Sequence, residues 1–206
     1  MNAKLHGLYL ITDNGQSSGQ ALFNKVDAAI QGGARIVQYR DKSDDQARRQ
    51  QESQALLALC QQHQIPFIIN DDVELAHQIG ADGVHIGRED GALAHARAKL
   101  GNRIIGVSCY NDWDLARSAE KEGADYVAFG AFFNSSTKPN ASNADIKLLV
   151  QAKQALTIPV VAIGGITPDN GANLINAGAN MLAVVNGVFG HTQVQSAAQR
   201  YAELFI

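Results

Sequence analysis

The stretch "IPFIINDDVELAHQIGADGVHIG", residues 65–87, decides the architecture. Ile65-Pro66 blocks further helix, because a proline ring disfavours the α region in the residue before it. Phe67-Ile68-Ile69 opens a short apolar, β-branched strand over 67–71, of the kind buried on both faces. Residues 73–79 have helical length, and Asp72 fits the N-cap. Gly80-Ala81-Asp82 then ends the helix with glycine at C′, where positive φ carries no Cβ strain, and a second strand follows over 83–87.

The same rhythm tiles the chain. Eight strands are predicted, over 7–13, 35–41, 67–71, 83–87, 103–108, 126–133, 160–166 and 181–187, separated by helices over roughly 20–33, 44–63, 73–79, 91–100, 112–122, 144–155, 168–177 and 191–203. Gly-Ala plus a polar residue recurs at Gly33-Ala34-Arg35, Gly123-Ala124-Asp125 and Gly178-Ala179-Asn180, always before an even-numbered strand, whereas strands three and seven follow Ile-Pro, the second at Ile158-Pro159. Eight evenly spaced βα units predict one α/β domain over 1–206, a single (β/α)8 TIM barrel. The competing architecture is a doubly wound open sheet, which the lack of GxGxxG after strand one disfavours.

Composition narrows the function classes. A chain of 206 residues with 46% hydrophobic and 18% charged residues and a formal net charge of -3 suits a globular core and offers no basic field for nucleic acid or a membrane surface. No apolar run spans a bilayer and no signal-peptide core opens the chain, which points to the cytoplasm. Cys60 and Cys109 form no CxxC or zinc spacing and read as reduced thiols. The expected partner is a small molecule, and the oligomeric state stays open, a homo-oligomer included.

Barrel active sites are built from the loops after the strands. Gln38, Arg40 and Lys42 lie at i, i+2 and i+4, on one face of an extended strand end, with Lys138 arriving from another loop. They would face an anion; a solvated strand end with a charged turn explains "YRDKSDD" equally well. Asn70 and Asp71 close strand three and Asp90 follows strand four. Two carboxylates beside an anion site imply a cation between them, and Mg2+ takes one or two carboxylates plus phosphate oxygens and waters. Asp71 could instead cap a helix, as Asp72 is expected to do. Gly164-Gly165 after strand seven and Asn186-Gly187 after strand eight bring backbone amides together where barrels bind phosphate, although turn geometry alone also produces such glycines. Two phosphate-recognising regions imply a substrate pair, one carrying a pyrophosphate leaving group.

Together "QYRDK", "IND", "ADGVHIGRED", "IGVS", "STK" and "AIGGI", in order over nearly the whole length, resemble the thiamine phosphate synthase (thiamine-phosphate pyrophosphorylase) family. The resemblance implies a (β/α)8 barrel that joins 4-amino-5-hydroxymethyl-2-methylpyrimidine pyrophosphate to 4-methyl-5-(2-phosphoethyl)thiazole, releasing pyrophosphate. The bond to pyrophosphate breaks first and the thiazole nitrogen attacks the resulting cation. The resemblance assigns the pyrimidine pyrophosphate to Gln38, Arg40, Lys42, Asn70 and Lys138, Mg2+ to Asp71 and Asp90, and the leaving pyrophosphate to Ser108. It assigns the thiazole phosphate to Ser135, Thr137, Gly165 and the backbone around Val185 and Asn186. Ser108, Lys138 and Arg40 form the implied catalytic set. His85 lines the pyrimidine pocket or packs in the core.

Five departures from the family pattern stand out: Arg88 for Gln, the pair Cys109-Tyr110 for a small residue and His, Ser135 for Thr, Asn186 for a frequent Ser, and Asp145 for Gly. Near a phosphate Asp145 would repel; at a helix start it would favour the dipole. A thiazole tautomerase on a similar barrel and a non-catalytic binding barrel are the competing functions. The tautomerase is weakened by Tyr110, which stands where a histidine base would serve.

Overall fold

The computed structural model describes residues 5–13, 15, 17–87, 93–134 and 144–206. Strands β1 (Gly7–Ile11), β2 (Ala34–Tyr39), β3 (Phe67–Asn70), β4 (Gly83–Ile86), β5 (Ile104–Tyr110), β6 (Tyr126–Gly130), β7 (Val160–Ile163) and β8 (Met181–Val184) pair in chain order, all parallel, and β8 returns to β1 to close the barrel. Around them lie α1 (Gly19–Gln31), α2 (Gln46–Gln62), α3 (Val73–Ile79), α4 (Leu93–Leu100), α5 (Trp113–Lys121), α6 (Lys147–Ala155), α7 (Pro168–Ala177), α8 (Asn186–Phe189) and α9 (Val194–Ala202). Among the described residues no helix is long and apolar enough to cross a membrane.

Side chains alternate across each strand, so the apolar runs divide into two cores. Leu8, Leu10, Val37, Phe67, Ile69, Val84, Ile105, Val127, Ala162 and Leu182 pack outward against the helices. Tyr9, Ile11, Ile36, Ile68, Tyr126, Ala128, Val161, Met181 and Ala183 fill the lumen.

The Gly-Ala turns have a fuller explanation than helix capping. All four glycines take positive φ, as expected. The polar residue that follows reaches back to the preceding odd strand: Asp82 accepts from Phe67 N at 2.9 Å, Asp125 from Ile105 N at 2.8 Å and Asn180 from Val160 N at 2.9 Å. Each carboxylate or amide thus satisfies a backbone donor near the start of its neighbour. Arg35 has no acceptor to offer and breaks the series.

Most strand ends fall short of the sequence reading, and one overruns it. Strands one, two, six, seven and eight stop two or three residues early, because at the C-terminal rim the chain leaves the ladder to form loops. Residues 186–187, assigned to strand eight, instead open the single-turn helix α8, after Val185 turns out of the strand at φ -112°, ψ -87°. Strand five runs on to Tyr110 through a register shift after Ser108. The chain keeps Asp72 as the α3 cap, accepting from Leu75 N at 2.8 Å.

Tyr126 occupies the lumen only because position 106 has no side chain: a Cβ there would sit 1.9 Å from its Cζ. Gly106→Ala should therefore cost about 3 kcal/mol, the upper part of the usual overpacking range. Gly80→Ala meets open space and carries only the left-handed backbone cost of about 1–2 kcal/mol. Urea midpoints at unchanged m-value would rank the two variants.

Candidate active site at the C-terminal rim of the barrel

A chain of hydrogen bonds crosses the lumen just below the rim. Gln38 Nε2 on β2 donates to Tyr9 Oη at 2.9 Å; Tyr9 Oη and Tyr126 Oη share a bond of 2.7 Å. His85 on β4 bonds Tyr126 Oη through Nδ1 at 3.0 Å and Ser108 Oγ on β5 through Nε2 at 2.8 Å. The His85 and Tyr126 rings stack with centroids 5.6 Å apart, and Tyr9 meets Tyr126 edge-on at 5.9 Å. Run from the Gln38 amide as donor, the chain passes Tyr9, Tyr126 and His85 Nδ1, puts the imidazole proton on Nε2 and leaves the Ser108 hydroxyl hydrogen directed away from His85. Burial pushes the Tyr9 and Tyr126 hydroxyls well above the ordinary tyrosine range, so both stay neutral donors.

An ionic corner adjoins this chain. Lys42 Nζ and Asn70 Nδ2 both donate to Asp71 Oδ2. Asp71 stands at φ +64°, an uncommon conformation that Asp tolerates better than most residues, with its N–H donating to His85 O at 2.8 Å. Its carboxylate is consequently lifted out of the α3 cap and into the mouth. Arg40, half-buried, shares the Gln38 face of β2, and its N–H donates to Thr12 Oγ1 at 2.9 Å.

At the β7 end Gly164 and Gly165 serve a close approach. A Cβ on Gly164 would meet Ala131 Cβ at 2.3 Å and one on Gly165 would meet Asn134 O at 2.5 Å, while Phe133 N donates to Gly164 O at 3.1 Å. Asn170 of α7 pins the turn, accepting from Thr167 N at 2.8 Å and donating to Gly165 O at 3.1 Å. These glycines thus have a steric reason in the protein alone. Val185 and Asn186 follow β8 at the same rim.

The structure accordingly brings Gln38, His85 and Ser108 into one bonded chain and Lys42, Asn70 and Asp71 into one corner. Asp90, Arg88, Ser135, Thr137 and Lys138 lie outside the described residues. Asp145 stands exposed at the start of α6, accepting from Lys147 N at 2.9 Å, which supports the helix-start reading of that departure. Tyr110 is 44% exposed at φ +54° on the rim. Sequence reasoning missed Tyr9 and Tyr126; their signal was a pair of hydroxyl-bearing aromatics at inward positions of otherwise aliphatic strands. Among the described residues no three acidic, histidine or cysteine side chains could hold a metal alone.

A family model described as thiamine monophosphate synthase matches residues 8–188. A thiamine-phosphate synthase of Thioalkalivibrio sulfidiphilus is 50% identical over 203 residues, covering 98% of this chain and 96% of the relative. Its counterpart in Nitrosococcus oceani is 48% identical over 206 residues, covering 100% and 95%. The solved thiamine phosphate pyrophosphorylase of Pyrococcus furiosus superposes with a TM-score of 0.90 at 31% identity, covering 98% of this chain and 96% of its own.

The lumen tyrosines set a pH dependence. Folding raises the Tyr9 and Tyr126 pKa values, so the folded state holds more protons than the unfolded one at alkaline pH; their stabilisation is complete below the ordinary value of about 10 and declines above it. The expected result is alkaline unfolding in which tyrosinate absorbance and loss of far-UV circular dichroism rise together above about pH 10. Ionisation of all five tyrosines with the fold retained would refute this.

Proposed function

Because the chain belongs to the thiamine monophosphate synthase family and is a transferase that forms thiamine phosphate, we propose that its barrel rim couples a pyrimidine pyrophosphate to a thiazole phosphate with release of pyrophosphate. The observation that carries this reading is the continuity of the two clusters: Asp71 N bonds His85 O, so the ionic corner and the chain from Gln38 to Ser108 form one connected surface. Cations and a hydroxyl donor face a leaving pyrophosphate there, and a neutral polar floor lies beneath.

In this reading Gln38 and His85 line the pyrimidine end. Arg40, Lys42, Asn70 and Lys138 hold the pyrophosphate, and Ser108 donates to the oxygen that departs. Charge builds on that oxygen as the carbon–oxygen bond breaks, so donors fixed beforehand stabilise the transition state more than the ground state. Ser135, Thr137, Gly165 and the backbone at Val185 and Asn186 hold the thiazole phosphate, which places the ring nitrogen in line with the cation left on the pyrimidine. Asp71 and Asp90 are the residues that would hold Mg2+, which when bound neutralises phosphate charge. Lys42, paired with Asp71 in this structure, is near enough to serve either the carboxylate or a phosphate. No acid–base residue is demanded of the chain, and a cytoplasmic, small-molecule setting fits it.

Incubation of the purified protein with both substrates and Mg2+, following thiamine phosphate and pyrophosphate, tests the reaction; thiazole isomerisation without coupling would mark a tautomerase, and binding without product a non-catalytic relative. Arg40→Ala and Asp71→Asn should each lower kcat/KM about 10²–10³-fold, the loss typical of a transition-state charge partner. Asp90→Ala should lower coupling strongly with folding intact; activity unchanged at limiting Mg2+ would remove Asp90 from the metal site.

A further inference from the structure

Behind the cationic end of β2 lies a second polar network, buried between the sheet and α2 and turned away from the mouth. Glu52 on α2 is 7% exposed, yet both carboxylate oxygens are engaged: Oε1 accepts from Gly19 N at 2.6 Å and Oε2 from Tyr39 Oη at 2.8 Å. The first bond caps α1, whose own N-cap residue Ser18 makes no side-chain cap. The second fixes the residue between Gln38 and Arg40. Asp41, also buried, accepts from Tyr39 Oη at 3.4 Å, from Ser43 N at 2.8 Å and from Arg48 Nη2 at 2.8 Å; Arg48 Nη2 in turn donates to Ser43 Oγ at 2.7 Å.

The alternation of the strand turns this network into a constraint on the mouth. Tyr39, Asp41 and Ser43 are held from behind, so Arg40 and Lys42, the residues between them, are left to project forward. On the β1 side, Thr12 N donates to Gln38 O at 2.9 Å and Arg40 N to Thr12 Oγ1 at 2.9 Å, while Glu52 ties down the helix that the β1 loop leads into. Burying a carboxylate is costly, and an apolar residue of similar volume would serve packing at least as well beside Leu22 and Leu56. A buried Glu that joins α1, α2 and β2 is better explained by what it orients.

We propose that Glu52 is a positioning residue for the pyrophosphate-binding end of β2, acting through Tyr39 on Arg40 and Lys42. This rests on the assignment of Arg40 and Lys42 to pyrophosphate. Glu52 touches no substrate; removing it frees the Tyr39 hydroxyl to turn wholly to Asp41 and uncouples the α1 end from β2.

The test is steady-state kinetics of the full chain with each substrate varied in turn, together with calorimetric titration of inorganic pyrophosphate in Mg2+. Glu52→Met keeps the volume and is expected to fold with an unchanged or raised Tm, yet to raise KM for the pyrimidine pyrophosphate and weaken pyrophosphate binding roughly tenfold or more, the scale of a small misplacement. KM for the thiazole phosphate should stay constant. Glu52→Gln, which keeps an acceptor for Gly19 N–H and a partner for Tyr39, should recover most of the affinity. Leu100→Ala, a buried α4 truncation at the opposite end of the barrel, should lower Tm and leave both KM values unchanged. Normal pyrophosphate affinity in Glu52→Met, or parallel rises in both KM values, would overturn the proposal while leaving the Arg40 assignment standing. Normal pyrophosphate affinity in Arg40→Ala would overturn that assignment, and the inference built on it.

Discussion

Eight short parallel strands closed into a ring leave a lumen that must be filled without orphaned polar atoms, and the Tyr9–Tyr126 bond is how this barrel does so at the level of its site. Two phenol rings fill volume that aliphatic residues fill lower down. Their hydroxyls, too deep for water, are satisfied by each other, by Gln38 and by His85. Gly106 supplies the space, since any side chain there collides with Tyr126. The same contacts that complete the core therefore fix the side chains that form the floor of the mouth, and stability and preorganisation have one source.

Above that floor the charges are arranged by backbone as much as by side chain. Asp71 reaches the mouth through a left-handed conformation, while its neighbour Asp72 takes the cap of α3 and an ion pair with Arg49 at 2.6 Å. One acidic pair is thus split, Asp72 into the α3 cap and Asp71 away from it, where its carboxylate meets Lys42 and Asn70. Lys42 meets Asp71 in front, and Asp41 meets Arg48 behind, so the cations and carboxylates of "YRDKSDD" divide between the two sides of β2. Burial raises the Asp41 pKa, but the hydrogen bonds from Ser43 and Arg48 outweigh it and leave the carboxyl below its usual range, a charged anchor at neutral pH.

Much of this is legible in the sequence. Gly-Ala turns, Ile-Pro starts and apolar runs at even spacing locate every strand; Gln38, Asn70, Asp71 and Ser108 stand at strand ends, and His85 comes only from the family resemblance. Asp72 caps α3, as the sequence predicts, and Asp71 does not. The lumen tyrosines were not named, because a tyrosine in a strand looks the same whether it faces helices, as Tyr39 does, or the lumen, as Tyr126 does. No local pattern singles out Glu52; only the packing of α2 against β2 and α1 buries it. The predicted strand over 181–187 takes in the turn at 185–187 because so short an apolar run carries no periodicity to mark its end.

By itself the sequence determined the order and kind of elements, the barrel and the family, since these follow from local patterns: alternation, glycine at positive φ, proline at helix ends and motifs in a fixed order. The tertiary structure alone decided who bonds whom. Residues 9, 38, 85, 108 and 126 belong to five different strands, and residues 19, 39 and 52 to three elements. Their partnerships exist only once the ring closes and the helices pack, because hydrogen bonding depends on distances across the fold that no sequence spacing encodes.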